Sequence, residues 1–465
     1  MDEAQKNNTR NYIETTPEIL HLAELAQKND YIDADLYKKY HVMRGLRDLQ
    51  GHGVLAGLTH ISEVRASKIV DGERVPDYGK LVYRGYDIKD LVRGFVTEGR
   101  FGFEETAYLL MFGKLPTHEE LISFAKQMIA YRQLPVGFVR DVIMKAPSDN
   151  MMNTLSRSVL TLYSYDKYPE DTSVANVVLQ CMKLISRAPM LAVYGYYTDR
   201  YYNADESLFV VQPMDRGSFA ENLLHLLRPD GNYSKVEALA LDMALVLHMD
   251  HGGGNNSTFT THVVTSSMTD TYSAFGAALG SLKGPRHGGA NIKVVHMFDD
   301  MKKSVSDWTD DEEVGRYLKA LLHKEAFDQA GLIYGVGHAV YSKSDPRAEI
   351  FKAYVQRLAA EKGREDEFAL YSKVESLAPQ VIAAERKMYK GVCANVDFYS
   401  GFAYQMLGLP EELFTPMFAL ARMVGWSAHR IEELANNSKI FRPAYKSIEP
   451  DNTYVPMEER EGGNT

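Results

Sequence analysis

The apolar positions along this chain fall into two textures. Between Val54 and Tyr86 they occur in short β-prone pieces, GVLAGLTHISEV and then SKIVDGERVPDYGKLVYRGYDI, with Asp-Gly and Tyr-Gly turns, which predicts a small sheet or hairpin. After Asp87 they recur at spacings of three and four almost to the end, which predicts helices over 104–111, 118–130, 153–163, 173–185, 219–227, 234–249 and 273–281. The same spacing returns over 309–322, 347–358, 367–386, 398–407 and 411–433. Residues 1–50 are polar, with one short amphipathic helix near 17–27 and a turn at Arg44-Gly45-Leu46-Arg47; the closing EPDNTYVPMEEREGGNT predicts a mobile acidic tail. No 20–50 residue period recurs, which excludes a solenoid. The expected fold class is all-α with a minor N-terminal β element, a hairpin or small sheet at about 54–86.

The 234–249 helix carries Val236, Leu239, Ala240, Met243, Ala244, Val246 and Leu247 around most of its circumference, so it is expected to be buried. Three glycines after His251 predict that it stops near Met249. That ending would offer His251 and the glycine N–H groups to an anion in a cavity; a hydrogen-bonded core histidine is the alternative. The SAFGAALGS segment presents small residues at spacings of three and four, and Ser, Thr and Asp interrupt the run of about 18 apolar residues that a membrane helix needs. His287 follows, ahead of Gly288, Gly289 and a new helix. A histidine there feels the positive end of the helix dipole and stays neutral, able to donate one N–H to a carbonyl oxygen on which charge develops.

Composition narrows the function classes. With 465 residues, 45% hydrophobic and 25% charged, the chain is long enough for a large core or two domains. A net charge of -10 without a Lys/Arg run excludes a nucleic-acid partner, and a small anionic substrate would need arginines gathered locally. Two cysteines, Cys181 and Cys393, fit a reducing compartment, and MDEAQKNNTR has neither an apolar signal core nor transit-peptide character, so a cytoplasmic location is expected.

Further candidates lie in the second half. GVGHAV sets His338 beside two glycines. In SDPR, Asp345 reads as a helix N-cap with Pro346 at the first helical position, which leaves Arg347 free to face a carboxylate. Asn395-Val396-Asp397 opens another helix, with Asp397 either its cap or a general base at a cleft. Arg422 on a helix and Arg442 in the loop beyond are solvated charges or carboxylate ligands. Fourteen histidines permit a metal site, yet there is no H-E-x-x-H, no clustered cysteine, no Walker loop and no G-x-G-x-x-G after a strand.

Taken in order, His251, GPRHGGAN, GVGHAV with DPRA, NVDFYSG and ALARMVGW resemble the citrate synthase family over roughly 44–443. The resemblance implies a large helical domain (1–287 with 402–465), a smaller one (288–401), and an active-site cleft that closes on substrate in a symmetric homodimer. Gly288-Gly289 and Gly401 are the candidate hinges. The activity implied is condensation of acetyl-CoA with oxaloacetate and water to citrate and CoA, the step that feeds the tricarboxylic acid cycle, with no metal or other cofactor. Asp397 would take the methyl proton, His287 would stabilise the enol oxygen and His338 would polarise the keto group. His251, Arg347, Arg422 and Arg442 would bind oxaloacetate, Arg442 in the neighbouring subunit's site, while Gly335, Val336, Gly337 and Asn395 would contact CoA.

The chain departs from the family pattern at Gly252, often acidic, at Ala394, commonly proline, and at Ser342, a phosphate-binding arginine in animal-type members. Lys343 and the Arg44/Arg47 turn are then the candidates for the CoA phosphates. A 2-methylcitrate synthase, using propionyl-CoA, differs by one methylene, worth about 1–3 kcal/mol in a pocket, and the motifs do not separate the two. A silent helical scaffold and a histidine-ligated metallohydrolase are the readings from other classes; no membrane partner is expected.

Overall fold

Most helices begin where Ser, Thr, Asp or Asn precedes the first turn. A computed structural model describes residues 15–48, 53–386, 391–436 and 439–460. The chain separates into two units, 1–57 and 58–465. In the first, Thr16 caps α1 (Pro17–Asn29) by accepting the N–H of Ile19, and Asp33 caps α2 (Ala34–Lys39). A 3-10 turn follows at Arg44–Leu46. Ile19, Leu20, Leu22 and Leu25 of α1 are exposed.

The second unit opens with an antiparallel sheet, β1 (Ser62–Val70), β2 (Glu73–Tyr83) and β3 (Tyr86–Asp87), in the order β1-β2-β3. The β element expected from Val54 thus begins only at Ser62. The preceding GVLAGL has no polar alternation to define a buried face, and its Leu55 and Leu58 stay exposed.

Helices fill the rest: α3 (Ile88–Thr97), α4 (Phe103–Phe112), α5 (His118–Ala130), α6 (Met151–Leu162), α7 (Val174–Asn203) and α8 (Phe219–Leu227). They continue as α9 (Lys235–His248), α10 (Asn256–Thr265), α11 (Thr271–Lys283), α12 (Ala290–Ser304) and α13 (Asp311–Leu322). The last are α14 (Pro346–Lys362), α15 (Glu365–Arg386), α16 (Val396–Met406) and α17 (Phe414–Ala435). The all-α expectation with a small sheet holds.

The structure departs from the expectations in several places. The helix expected over 173–185 runs on to Asn203, because residues 188–195 of α7 are buried all round and show no stripe to count. By length and composition it could cross a membrane, but 78% of its most apolar stretch is buried within the protein, as in a core helix. Helix α10 was not expected from its Thr- and Val-rich sequence. Thr258, Thr261 and Thr265 are fully buried, and Thr261 Oγ1 donates to Ser257 O at 3.0 Å, so tertiary context outweighs propensity. Gly401, expected as a hinge, lies inside α16, where a Cβ would stand 2.8 Å from Asn291 O. The glycine allows α16 and α12 to touch backbone to backbone, which makes it a packing contact.

Helix α17 packs against α4, α6, α7, α9, α10 and α11 and is buried along most of its length. It brings Arg422, Trp426, His429 and Arg430 into the interior, each 0% exposed.

Candidate active site

Helix α9 ends at His248, as the glycine run predicts. His248 turns back on its own helix: Nδ1–H donates to Ala244 O at 2.7 Å, and burial lowers the ring's pKa to about 3. Two residues on, Asp250 accepts from the Ser62 hydroxyl, from Gly252 N–H at 3.1 Å and from His429 Nε2 at 3.2 Å. Although burial opposes ionisation, His429, Arg422 and these donors hold its carboxyl well below the usual range. The chain is thereby pinned where it delivers His251.

Tyr341 organises one side of the cleft. Its hydroxyl lies 3.2 Å from His251 Nε2, the His338 ring stacks on it at 4.8 Å, and the Arg347 guanidinium stands 5.8 Å from its centre. The His251 and His338 rings are 5.1 Å apart. His338 Nδ1 accepts the N–H groups of Val340 at 3.0 Å and Tyr341 at 3.2 Å, so the proton of the neutral ring sits on Nε2. Burial, then the Arg347 charge, lowers its pKa to about 4. Asp345 caps α14 as expected and also grips Arg347, with Nε donating to Oδ1 at 3.0 Å and Nη2 to Oδ2 at 2.7 Å. Nη1 is not engaged by that pair.

The His338 loop is tied to the start of α16. Gly337 N–H donates to Cys393 O at 2.8 Å and Asn395 N–H to Gly335 O at 2.9 Å, with Val336 bridged to Ala394. Asn395 Nδ2 donates to Gly337 O at 2.9 Å, while its Oδ1 accepts the N–H of Asp397 at 3.0 Å. The helix cap is therefore Asn395, not Asp397. This frees the Asp397 carboxylate, half-buried at the cleft, for chemistry. Burial raises its pKa to about 6, against the pull of Arg347 and Arg422.

Phe418 organises the other side, with the His248 ring at 5.1 Å, the His287 ring at 6.0 Å and the Arg422 guanidinium at 4.7 Å. The solvated reading of Arg422 is overturned. Its side chain is fully buried; Nε donates to His248 O at 2.8 Å, while Nη1 and Nη2 have no partner. Burial lowers its pKa only to about 10, so the charge persists at neutral pH. Buried charged donors without acceptors cost free energy that a carboxylate, with two oxygens in the same plane, would recover.

His287 is neutral, as expected, but for another reason. The cap of α12 is Gly289, and the pKa falls to about 4 through burial first and the Arg422 charge second. Its Nε2 lies 3.1 Å from Ser257 Oγ, which also accepts Trp426 Nε1–H at 3.2 Å. The one Ser257 proton is shared between Nε2 and Asn255 Oδ1, the latter 3.1 Å away. When it points at Nε2, the proton of the neutral imidazole sits on Nδ1.

The structure thus gathers His251, His287, His338, Arg347, Asp397 and Arg422 around one half-buried space. It does not bring in Arg442, which is exposed beyond α17; among the described residues no hydrogen bond or ion pair joins it to the cluster. Lys343 is exposed, with Nζ 5.7 Å from the Tyr78 ring, and Arg44 lies in the first unit, 5.4 Å from the Tyr37 ring. Among the described residues no three His, Cys, Asp or Glu side chains converge as a metal site. Tyr341, Phe418, Ser257 and Asp250 were missed. In sequence an aromatic residue reads as core, and a serine in a Ser/Thr run carries no spacing signal.

The family model "Citrate synthase, C-terminal domain" matches residues 49–444. A citrate synthase of Haloferax volcanii is 36% identical over 388 residues, 83% of this chain and 94% of the relative. The 2-methylcitrate synthase 1 of Corynebacterium glutamicum is 33% identical over 417 residues, 88% of this chain and 97% of the relative. Among solved structures, the ternary complex of Thermoplasma acidophilum citrate synthase with carboxymethyl coenzyme A and oxaloacetate matches with a TM-score of 0.72 at 26% identity, covering 90% of this chain and 99% of that one.

Proposed function

Since the chain belongs to the citrate synthase family, we propose that it condenses acetyl-CoA with oxaloacetate and water, releasing citrate and CoA. The observation that carries this reading is Arg422, a buried guanidinium with Nη1 and Nη2 unpartnered whose charge acts on His251, His287 and Asp397. A dicarboxylate fits it. One carboxylate would occupy Arg422, and the other would meet Arg347 Nη1, with His251 donating between them.

A thioester methyl group is a weak carbon acid, so a base and a hydrogen-bond donor must act together. The Asp397 carboxylate takes the methyl proton while His287 Nδ1–H donates to the thioester oxygen. The enol carbon attacks the keto carbon of oxaloacetate, whose oxygen accepts His338 Nε2–H and leaves protonated as the citryl hydroxyl. Water then cleaves the thioester, releasing carboxylate and CoA thiol. No metal or organic cofactor enters this scheme.

The proposal includes a small domain, 288–401, that closes on a large one, with Gly288-Gly289 as the hinge and oxaloacetate bound first. It also includes a homodimer in which Arg442 completes the neighbouring site. The exposure of Arg442 and the exposed apolar face of α1 support that assembly. A cytoplasmic location is proposed from the free Cys181 and Cys393.

The second reading, 2-methylcitrate synthase, is favoured by the Corynebacterium relative. Thiol release with acetyl-CoA and with propionyl-CoA, each with oxaloacetate, tests both: the proposal expects the higher kcat/KM for acetyl-CoA. The reverse order would transfer the chain to the second reading, and no release with either would remove both.

A further inference from the structure

Helix α17 presents Gly425, His429 and Glu433 one turn apart on a single face, beginning three residues beyond Arg422. Gly425 lets that face reach the end of α9: a Cβ there would stand 2.3 Å from Met249 O and 2.6 Å from Asp250 Oδ1. From His429 a row of side chains runs in both directions. Its Nε2 lies 3.2 Å from Asp250 Oδ1, and its Nδ1 lies 3.0 Å from His262 Nε2 on α10. His262 Nδ1 in turn meets Glu433 Oε2 at 2.7 Å. The His429 and Asp250 side chains are fully buried, those of His262 and Glu433 nearly so.

This row needs one proton more than two neutral imidazoles bring. Its three contacts in series, carboxylate to imidazole, imidazole to imidazole and imidazole to carboxylate, each require a proton. With only two, the His262 and His429 lone pairs would face each other at 3.0 Å, or one lone pair would face a carboxylate. A third proton placed on Glu433 would pass to the more basic imidazole beside it. Within the imidazole pair it rests on His429, because Asp250 is the more deeply buried of the two carboxylates and attracts a cation through the lower dielectric. His429 then donates from Nε2 to Asp250 and from Nδ1 to His262, and neutral His262 donates from Nδ1 to Glu433.

We propose that His429 is a positioning residue for the condensation: as a buried imidazolium it anchors the Asp250 carboxylate, so that His251 is presented to oxaloacetate and Arg422 keeps Nη1 and Nη2 for a substrate carboxylate. The inference rests on the oxaloacetate reading above. Asp250 directly precedes His251, and Ser62 and Gly252 hold only its Oδ2, which leaves Oδ1 to His429. Arg422 is the other cation that acts on Asp250. Without a charge on His429, the carboxylate would draw the Arg422 guanidinium toward itself and away from the substrate. A buried carboxylate needs a paired cation, and His429 supplies it without using the arginine.

The test joins NMR of the full chain, carrying labelled histidine rings, with calorimetry and steady-state kinetics. At neutral pH one buried ring should have both nitrogens protonated, a signal absent from His429→Gln and lost in Asp250→Asn, which removes the counter-charge. Glutamine keeps an N–H donor for Asp250 without the charge, so His429→Gln should bind oxaloacetate roughly tenfold more weakly, the size of one charge-assisted contact. The KM for oxaloacetate should rise in parallel while that for acetyl-CoA holds. A wild type in which His262 and His429 are both neutral would overturn the inference even if citrate is made, as would a His429→Gln variant that binds oxaloacetate as tightly as wild type. A doubly protonated His429 in a protein that binds no oxaloacetate would keep the pair with Asp250 and remove the condensation reading instead.

Discussion

Asn395 Oδ1 accepts the backbone N–H of Asp397 at 3.0 Å, so the residue before the helix performs the capping and Asp397 is left uncommitted. The Asn395 amide simultaneously holds Gly337 O, fixing the distance between the loop of His338 and the proposed base. A carboxylate that capped its own helix would be stabilised as the anion and made a weaker base; here burial acts the other way.

Replacing Asp397 with Asn should therefore separate activity from stability. Turnover should fall by about 10²–10⁴-fold. Removing an anion that is costly to keep in the cleft should leave the thermal midpoint at neutral pH unchanged or raised, by about 1–2 kcal/mol once cleft water is allowed for. Parallel kinetics and thermal melts check this; a variant that melts much earlier would make Asp397 a structural cap.

The pH dependence has a determined sign. Asp397 must be ionised and its pKa is about 6, whereas His287 and His338, at about 4, are already neutral there. The acid limb of kcat/KM should fall near pH 6. Stability follows a different balance. His248, His287 and His338 bind protons less well folded than unfolded, so their contribution is complete above the ordinary imidazole value of about 6.5 and is lost as pH falls toward 4. His251 and His262, also lowered by burial, add to them, while Asp397, Glu104 and Asp242, the last pushed up by burial to about 8, oppose them as pH climbs, three carboxyls against five imidazoles. Thermal midpoints should rise between pH 4 and 6.5; a flat profile would mean the imidazoles are charged or solvated.

Arg422→Met offers an unusual combination. The guanidinium makes one hydrogen bond to protein and leaves two nitrogens orphaned, so the ligand-free variant should melt within a few degrees of wild type. Oxaloacetate binding should weaken by about 100-fold or more, the cost of a lost buried carboxylate pair. Calorimetry with oxaloacetate decides the matter, and unchanged affinity would show that the orphaned nitrogens serve another ligand.

How much of this was legible beforehand depends on whether a residue's role is local. The cap at Asp345, the end of α9 and the small sheet follow from neighbours in the chain, and the order of motifs marked the histidines that the structure gathers beside Asp397 and the two arginines. Burial of Arg422 does not, because it depends on α17 being enclosed by six other helices. The hubs Tyr341 and Phe418 were hidden for the same reason: each acts through residues far away in sequence. Helix α10 was hidden by its threonines, of which Thr261, once buried, bonds back to Ser257 O of its own helix.

Exposed Arg442 bears on assembly. Co-expressing His287→Ala with Arg442→Leu, each inactive alone, should yield mixed dimers with one working site, assembled from an intact His287 on one chain and an intact Arg442 on the other. Purified heterodimer as inactive as its parents would return Arg442 to its own chain.

The central claim is that this cleft joins two substrates through a carbon acid, and product analysis tests it most directly. Incubation with acetyl-CoA and oxaloacetate, followed by NMR of the mixture, should show citrate and free CoA thiol appearing in equal amounts, neither without oxaloacetate. Asp397→Asn should form both at least about a hundredfold more slowly. Thiol released from acetyl-CoA alone, or no citrate from folded protein with both substrates present, would contradict the account.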